Sequence, residues 1–141
     1  KDEMQQGIDA QIAWQQEQWG GHFDLPMEKV AELARKFYPY KIELIKDLTV
    51  DTIKSQLQQG RPVIVPSAGR ELGNPNFRQP GPLYHMLVIK GYTKTGKFIT
   101  NDPGTRKGAD YVYSEKVLMN ALRDWDGDSP DGEKTGLVMY K

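Results

Sequence analysis

Apolar positions recur along the chain with helical spacing first and strand spacing later. Between Asp2 and Trp19, Met4, Ile8, Ile12, Gln15 and Trp19 fall three or four apart among many glutamines. That spacing predicts an amphipathic helix, closed by Gly20-Gly21. Asp24 and Pro26 suit the start of a second helix, Met27 to about Phe37. Its expected buried stripe is Met27, Val30, Leu33, Ala34 and Phe37, and Pro39 stops it. Lys41 to Lys46 alternates and reads as a strand with Ile42, Leu44 and Ile45 inward. Thr49 is a good N-cap for a third helix carrying Val50, Ile53 and Leu57, with Gly60 as its stop. Arg61 to Pro66 reads as a short buried strand.

Strand patterning dominates the second half. Met86 to Ile89 is a short apolar run followed by Gly91, and Lys97 to Asn101 alternates before Asp102-Pro103-Gly104 halts it. Thr93 to Gly96 has turn chemistry, so the two runs form a hairpin. Tyr111 to Tyr113 is a further strand, and Ser114 caps a helix with Val117, Leu118, Ala121, Leu122 and Trp125 on one face. Gly136 to Tyr140 closes the chain as a strand. Ser67 to Tyr84 is expected to be a long irregular connection, rich in Pro and Gly. Connections of that length are commonly functional, and Phe77, Arg78 and Tyr84 are its candidate substrate contacts, with Arg70 and Glu71 weaker ones.

Composition narrows the picture. The 141 residues suit one domain with a substantial core, and 14 Gly with 9 Pro favour a loop-rich α+β domain over a bundle. A net charge of zero gives no global attraction to nucleic acid or an anionic membrane. Charge is nevertheless segregated: Arg61 to Lys107 holds eight Lys/Arg and two acids, which reads as solvated surface. No apolar run approaches a membrane span of roughly 20 residues. There is no cysteine, hence no disulfide, thiolate metal site or thiol nucleophile in these residues. Asp124 to Glu133 is acidic but fails the calcium-loop pattern, with Ser129 where Gly is needed and Thr135 where a bidentate Glu is needed. His22 stands in a connecting loop without ligand partners, and no metal or cofactor is expected.

The chemistry gathers on the hairpin. With Thr93 to Gly96 as a four-residue loop, Tyr92 faces Lys97 and Asp102 lies opposite Leu87, diagonal to His85 on one face. Diagonal neighbours are roughly 7–8 Å apart at Cα, within reach of an imidazole and a carboxylate. A register slip of one residue would separate them. An Asp that accepts from a His ring nitrogen sets the tautomer and stabilises the imidazolium, as a general base requires. The alternative is an ordinary hydrogen bond that braces the hairpin.

The segments RPVIVPSAG (Arg61–Gly69), YHMLVIKGY (Tyr84–Tyr92) and FITNDPG (Phe98–Gly104), with DLTVDTIKSQLQQGRPVIV before them, resemble the papain superfamily. More closely, they resemble bacterial peptidases similar to the double-glycine leader peptidases of bacteriocin exporters. The resemblance implies an α+β papain-like cysteine proteinase fold, N-terminal helices followed by an antiparallel sheet, as one domain over residues 1–141. It implies His85 as general base and Asp102 as its orienting partner in a Cys-His-Asp triad, with a peptide or protein substrate. The family's nucleophile is a Cys opening a long helix, preceded by a Gln of the oxyanion hole, and neither motif is present; Gln5 and Gln6 have no Cys after them. The expectation is therefore a domain lacking its nucleophile helix, inactive alone, with an apolar groove open to a partner or a second copy. Ser67, Ser114 and Ser55 lack the surroundings of a serine nucleophile. The alternative function is a non-catalytic peptide-binding domain of the same fold. The resemblance also implies a bacterial protein outside the cell or at its surface.

Overall fold

A computed structural model describes residues 26–77, 81–102, 107–126 and 129–140. The helix expected at Asp2–Trp19, His22 and Arg78 lie outside the described residues. Helix α1 (Met27–Phe37) is followed by strand β1 (Lys41–Ile45), helix α2 (Val50–Gln58) and strand β2 (Val63–Ala68). A 3-10 turn (Gly69–Leu72) then leads towards β3 (Tyr84–Tyr92), β4 (Lys97–Asn101) and β5 (Tyr111–Ser114). Helix α3 (Glu115–Ala121) and strand β6 (Gly136–Tyr140) complete the order. The strands form one six-stranded sheet, β1-β6-β2-β3-β4-β5. Every pairing in it is antiparallel.

Local chemistry explains the elements that frame β2. The Thr49 side chain accepts from the Thr52 N–H at 3.2 Å, and the Thr52 hydroxyl accepts from the Thr49 N–H at 2.8 Å, so two of the unpaired donors at the helix start are met. At the other end Gly60 takes φ +76, and the Arg61 N–H returns to the Gln56 carbonyl at 3.0 Å. Strand β2 then pairs along its length with β3 but with β6 only at Val63 and Ile64. Pro66, which has no N–H, sits where β6 has ended. There its carbonyl accepts from the Arg123 N–H, and Ser67 bridges to Leu122.

Alternation splits the sheet into two apolar faces. Val63, Val65, Leu87, Ile89 and Phe98 pack with Ile53 of α2 and with Leu118, Ala121 and Leu122 at the end of α3. Ile64, Met86, Leu137, Ile42 and Leu44 pack instead with Met27, Ala31 and Ala34 of α1. The α1 stripe differs from the expected one: Ala31 is buried, whereas Val30 and Phe37 are only half-buried. On α3, Val117 is 38% exposed and leaves the expected buried face. The connection expected from Ser67 to Tyr84 is shorter at both ends, since Ser67 and Ala68 extend β2 and Tyr84 opens β3. Among the described residues no helix is long and apolar enough to cross a membrane.

Candidate active site

The β3–β4 hairpin decides whether His85 and Asp102 meet. Its loop differs from the expected one. The Thr93 N–H bonds the Lys97 carbonyl, Tyr92 pairs with Phe98, and Gly91 pairs with Ile99, which leaves Lys94, Thr95 and Gly96 as the loop. Gly96 takes φ +80, as a three-residue loop of this kind requires. A bulge then shifts the register between Ile89 and Gly91, so that Ile89 pairs with Thr100 and Val88 with Asn101. The shorter loop and the extra residue on β3 offset each other, and the register reaching Asp102 is the one the four-residue loop would have produced. Bulges beside functional sites re-aim side chains in this way.

His85 Nε2 lies 2.5 Å from Asp102 Oδ1, with the imidazole 11% exposed and the carboxylate fully buried. An ionised carboxylate only accepts, so the Nε2 nitrogen carries the proton in the neutral ring. Nδ1 is then the basic nitrogen, and among the described residues it has no hydrogen-bond partner. The imidazole is held on its other sides by packing. Phe77 meets it edge-on with ring centroids 5.3 Å apart, and Gly69 lies so close that a Cβ there would stand 3.0 Å from His85 Cβ. The Ser67 hydroxyl donates to the His85 carbonyl at 2.7 Å and is fully buried. Its Oγ is occupied in bracing the strand, and the Ser114 Oγ caps α3 by accepting from the Val117 N–H.

Asp102 is held further by Tyr113, which Asn74 backs, and sequence reasoning singled out neither. The Tyr113 hydroxyl donates to Asp102 Oδ2 at 2.8 Å, and Asn74 Nδ2 donates to the Tyr113 oxygen at 2.9 Å. All three residues are buried. Burial raises the Tyr113 phenol well above its usual 10.0; the Asn74 bond works against this, and the neighbouring Asp102 adds to it. The hydroxyl therefore stays protonated and remains a donor. The signal for Tyr113 was the strand alternation that puts it on the inner face with Phe98. Asn74 had none, because it reaches the site from an irregular segment.

Of the residues proposed as substrate contacts, Phe77 lies against His85 and is 7% exposed. Tyr84 precedes His85 on the strand and so turns to the opposite face. There its ring packs 5.2 Å from that of Trp125, and its hydroxyl is 3.4 Å from Asp124 Oδ1. Asp124 also accepts from the Met27 and Trp125 N–H groups. Burial raises its carboxyl above the usual value, and the two backbone bonds partly counter that. Arg70 is exposed, and its Nε donates to the Gly81 carbonyl at 3.3 Å. Among the described residues no group of three or more His, Cys, Asp or Glu is placed to hold a metal ion.

Fold and site together define an α+β domain whose six-stranded antiparallel sheet presents an imidazole braced by a buried carboxylate. The chain belongs to the Peptidase_C39 like family, a profile of which matches residues 1–129. It is similar in structure to a protein of Bacillus anthracis described as a C39-like peptidase, with 16% sequence identity and a TM-score of 0.60. That alignment covers 86% of this chain and 61% of the other, so the chain spans under two thirds of that neighbour's length. The likeness carries the fold, an α+β arrangement with an antiparallel sheet. No curated protein matches the chain significantly.

Proposed function

We propose that the chain is the His- and Asp-bearing part of a papain-like cysteine-peptidase-type domain acting on peptide or amide bonds. The observation that carries this reading is the His85–Asp102 pair, with Nε2 engaged and Nδ1 left for another group. Membership of the Peptidase_C39 like family supports it. Because the 141 residues contain no cysteine, the thiol comes from outside them. In that reaction Nδ1 of His85 takes the thiol proton and the thiolate attacks the carbonyl carbon. The imidazolium then gives its proton to the departing amine, leaving a thioester. Attack by water, with His85 again taking the proton, releases the acid and returns the thiol. Asp102 holds the ring in the Nε2–H tautomer throughout. Phe77 and Arg78 are proposed to border the substrate, whereas Tyr84, turned to the opposite face of the sheet against Trp125, is not; a bacterial location outside the cell or at its surface is part of the same reading.

A second reading is a domain of this fold that holds a peptide without cutting it. The absence of cysteine from the sequence favours it. One experiment separates the two. The full-length native protein is assayed against a fluorogenic peptide library, with and without iodoacetamide, alongside His85→Ala and Asp102→Asn variants. Thiol-dependent hydrolysis that falls by about a hundredfold or more in His85→Ala supports the peptidase reading. Saturable peptide binding without hydrolysis supports the second reading and overturns the first.

A further inference from the structure

We propose that Asn74 and Tyr113 are positioning residues for the His85–Asp102 pair: Asn74 aims the single proton of the Tyr113 hydroxyl at Asp102, which keeps that carboxylate ionised and turned towards His85. The inference rests on the reading that this pair is the base of the site, and it names what controls that base.

The direction of each bond follows from the donors. Asn74 Oδ1 accepts from the Asn76 N–H at 2.8 Å, which sets the carboxamide with Nδ2 towards Tyr113. A tyrosine hydroxyl has one proton to give. With an N–H pointing at its oxygen, that proton goes the other way, to Asp102 Oδ2 at 2.8 Å. Asp102 Oδ1 meanwhile faces His85 Nε2. The two carboxylate oxygens thus have separate donors from separate strands, and rotating the carboxylate would break both bonds. Asn74, Tyr113 and Asp102 are only 3%, 4% and 3% exposed, so water is a poor substitute for any partner. Burying three polar groups is costly unless each is satisfied, and a chain satisfied in one direction has one proton arrangement.

Function gains a defined charge. A donor bond to a carboxylate favours its ionised form, and removing the bond raises its proton affinity. Nε2 of His85 bonds the same carboxylate, so a change made at Oδ2 is read at the imidazole. The Tyr113 hydroxyl therefore sets how tightly the pair holds its proton, and Asn74 acts only through that hydroxyl.

The test uses the chain as it stands, isotope-labelled, with the His85 ring resonances followed against pH by NMR. Tyr113→Phe is expected to raise the midpoint of the pair by about one unit, a tenfold gain in proton affinity, as loss of one hydrogen bond to a charged group predicts. Tyr111→Phe, which trims the neighbouring ring, is expected to leave the midpoint in place. Asn74→Asp keeps the acceptor for the Asn76 N–H but replaces the donor facing Tyr113 with an oxygen that competes for the hydroxyl proton. Its upward shift is expected to be larger in the wild-type background than in the Tyr113→Phe background. An unmoved or lowered midpoint in a Tyr113→Phe chain with a native amide spectrum overturns the proposal. So does an Asn74→Asp shift of equal size in both backgrounds. The unsubstituted chain offers a measurement independent of any variant's folding. Its Tyr113 hydroxyl proton is expected to show a nuclear Overhauser contact to Asp102, and a contact to Asn74 alone overturns the aim. None of these readouts needs a thiol or a substrate. Failure of peptide hydrolysis alone therefore sinks the proposed function, and an unmoved midpoint sinks only the positioning role.

Discussion

Gly108 is where a single methyl group would do most to the site. A Cβ built there stands 1.6 Å from the Asp102 carbonyl oxygen and 2.6 Å from the carbonyl carbon. The approach is close because the Asp102 N–H donates to the Gly108 carbonyl at 2.9 Å, which draws the two backbones together. The shortest comfortable carbon–oxygen contact is about 3.3 Å, so in Gly108→Ala the backbones must part by about 1.7 Å. Half of that movement passed to the carboxylate would stretch the 2.5 Å His85–Asp102 bond to about 3.4 Å, longer than a strong N–H···O bond. Crowding costs about 1–3 kcal/mol and the lost backbone bond about 1 kcal/mol, so Gly108→Ala should cost about 2–4 kcal/mol. For a chain of this size that lowers Tm by about 10 °C. Urea unfolding followed by circular dichroism measures the loss, and the His85 ring resonances report the site. Gly60→Ala is the control: φ is +76 but nothing lies within 4 Å of the added Cβ, so it loses only the left-handed penalty of about 1–2 kcal/mol. The reasoning is refuted if Gly108→Ala is no less stable than Gly60→Ala and leaves the His85 resonances unchanged.

Three other substitutions test separate parts of the account. Gly69→Ala places a Cβ 2.4 Å from the Pro82 carbonyl and 3.0 Å from His85 Cβ. It should cost about 1–3 kcal/mol and displace the His85 ring resonances, both measurable on the same samples. Thr49→Ala removes the acceptor for the Thr52 N–H and should lose about 1 kcal/mol by urea unfolding without disturbing His85. Tyr113 makes stability fall at high pH. Its phenol is raised above 10.0 in the folded chain, chiefly by burial, so its contribution is complete below 10.0 and is lost as pH rises through the folded value. Denaturation across that alkaline window should show a steeper decline in wild type than in Tyr113→Phe.

Much of the architecture was legible one element at a time. Thr49 and Gly60 bound α2, Ser114 caps α3, and the alternation of Lys97–Asn101 marks β4, because caps and period-two patterns act over a few residues. Where the local signal stops, reading from sequence stops as well. Val117 fits the α3 stripe by spacing, yet among the described residues no neighbouring element covers it and it is 38% exposed. Tyr84 and His85 are adjacent in one motif, and the pleat sends them to opposite faces, Tyr84 to Trp125 and Asp124 and His85 to Asp102.

The sequence by itself determined the composition of the site: one imidazole opening a strand, one carboxylate ending the next, and no thiol among 141 residues. Whether the two would meet depended on a register that no local pattern specifies, and the tertiary structure decided it through a loop one residue shorter and a bulge at Lys90. The same holds for Tyr113 and Asn74, which lie 11 and 28 positions from Asp102. Tyr113 reaches it because β5 pairs with β4, and Asn74 reaches Tyr113 from the segment after the 3-10 turn. Hydrogen bonds between distant segments are chosen by what packing brings within 3 Å, and packing is a property of the whole chain.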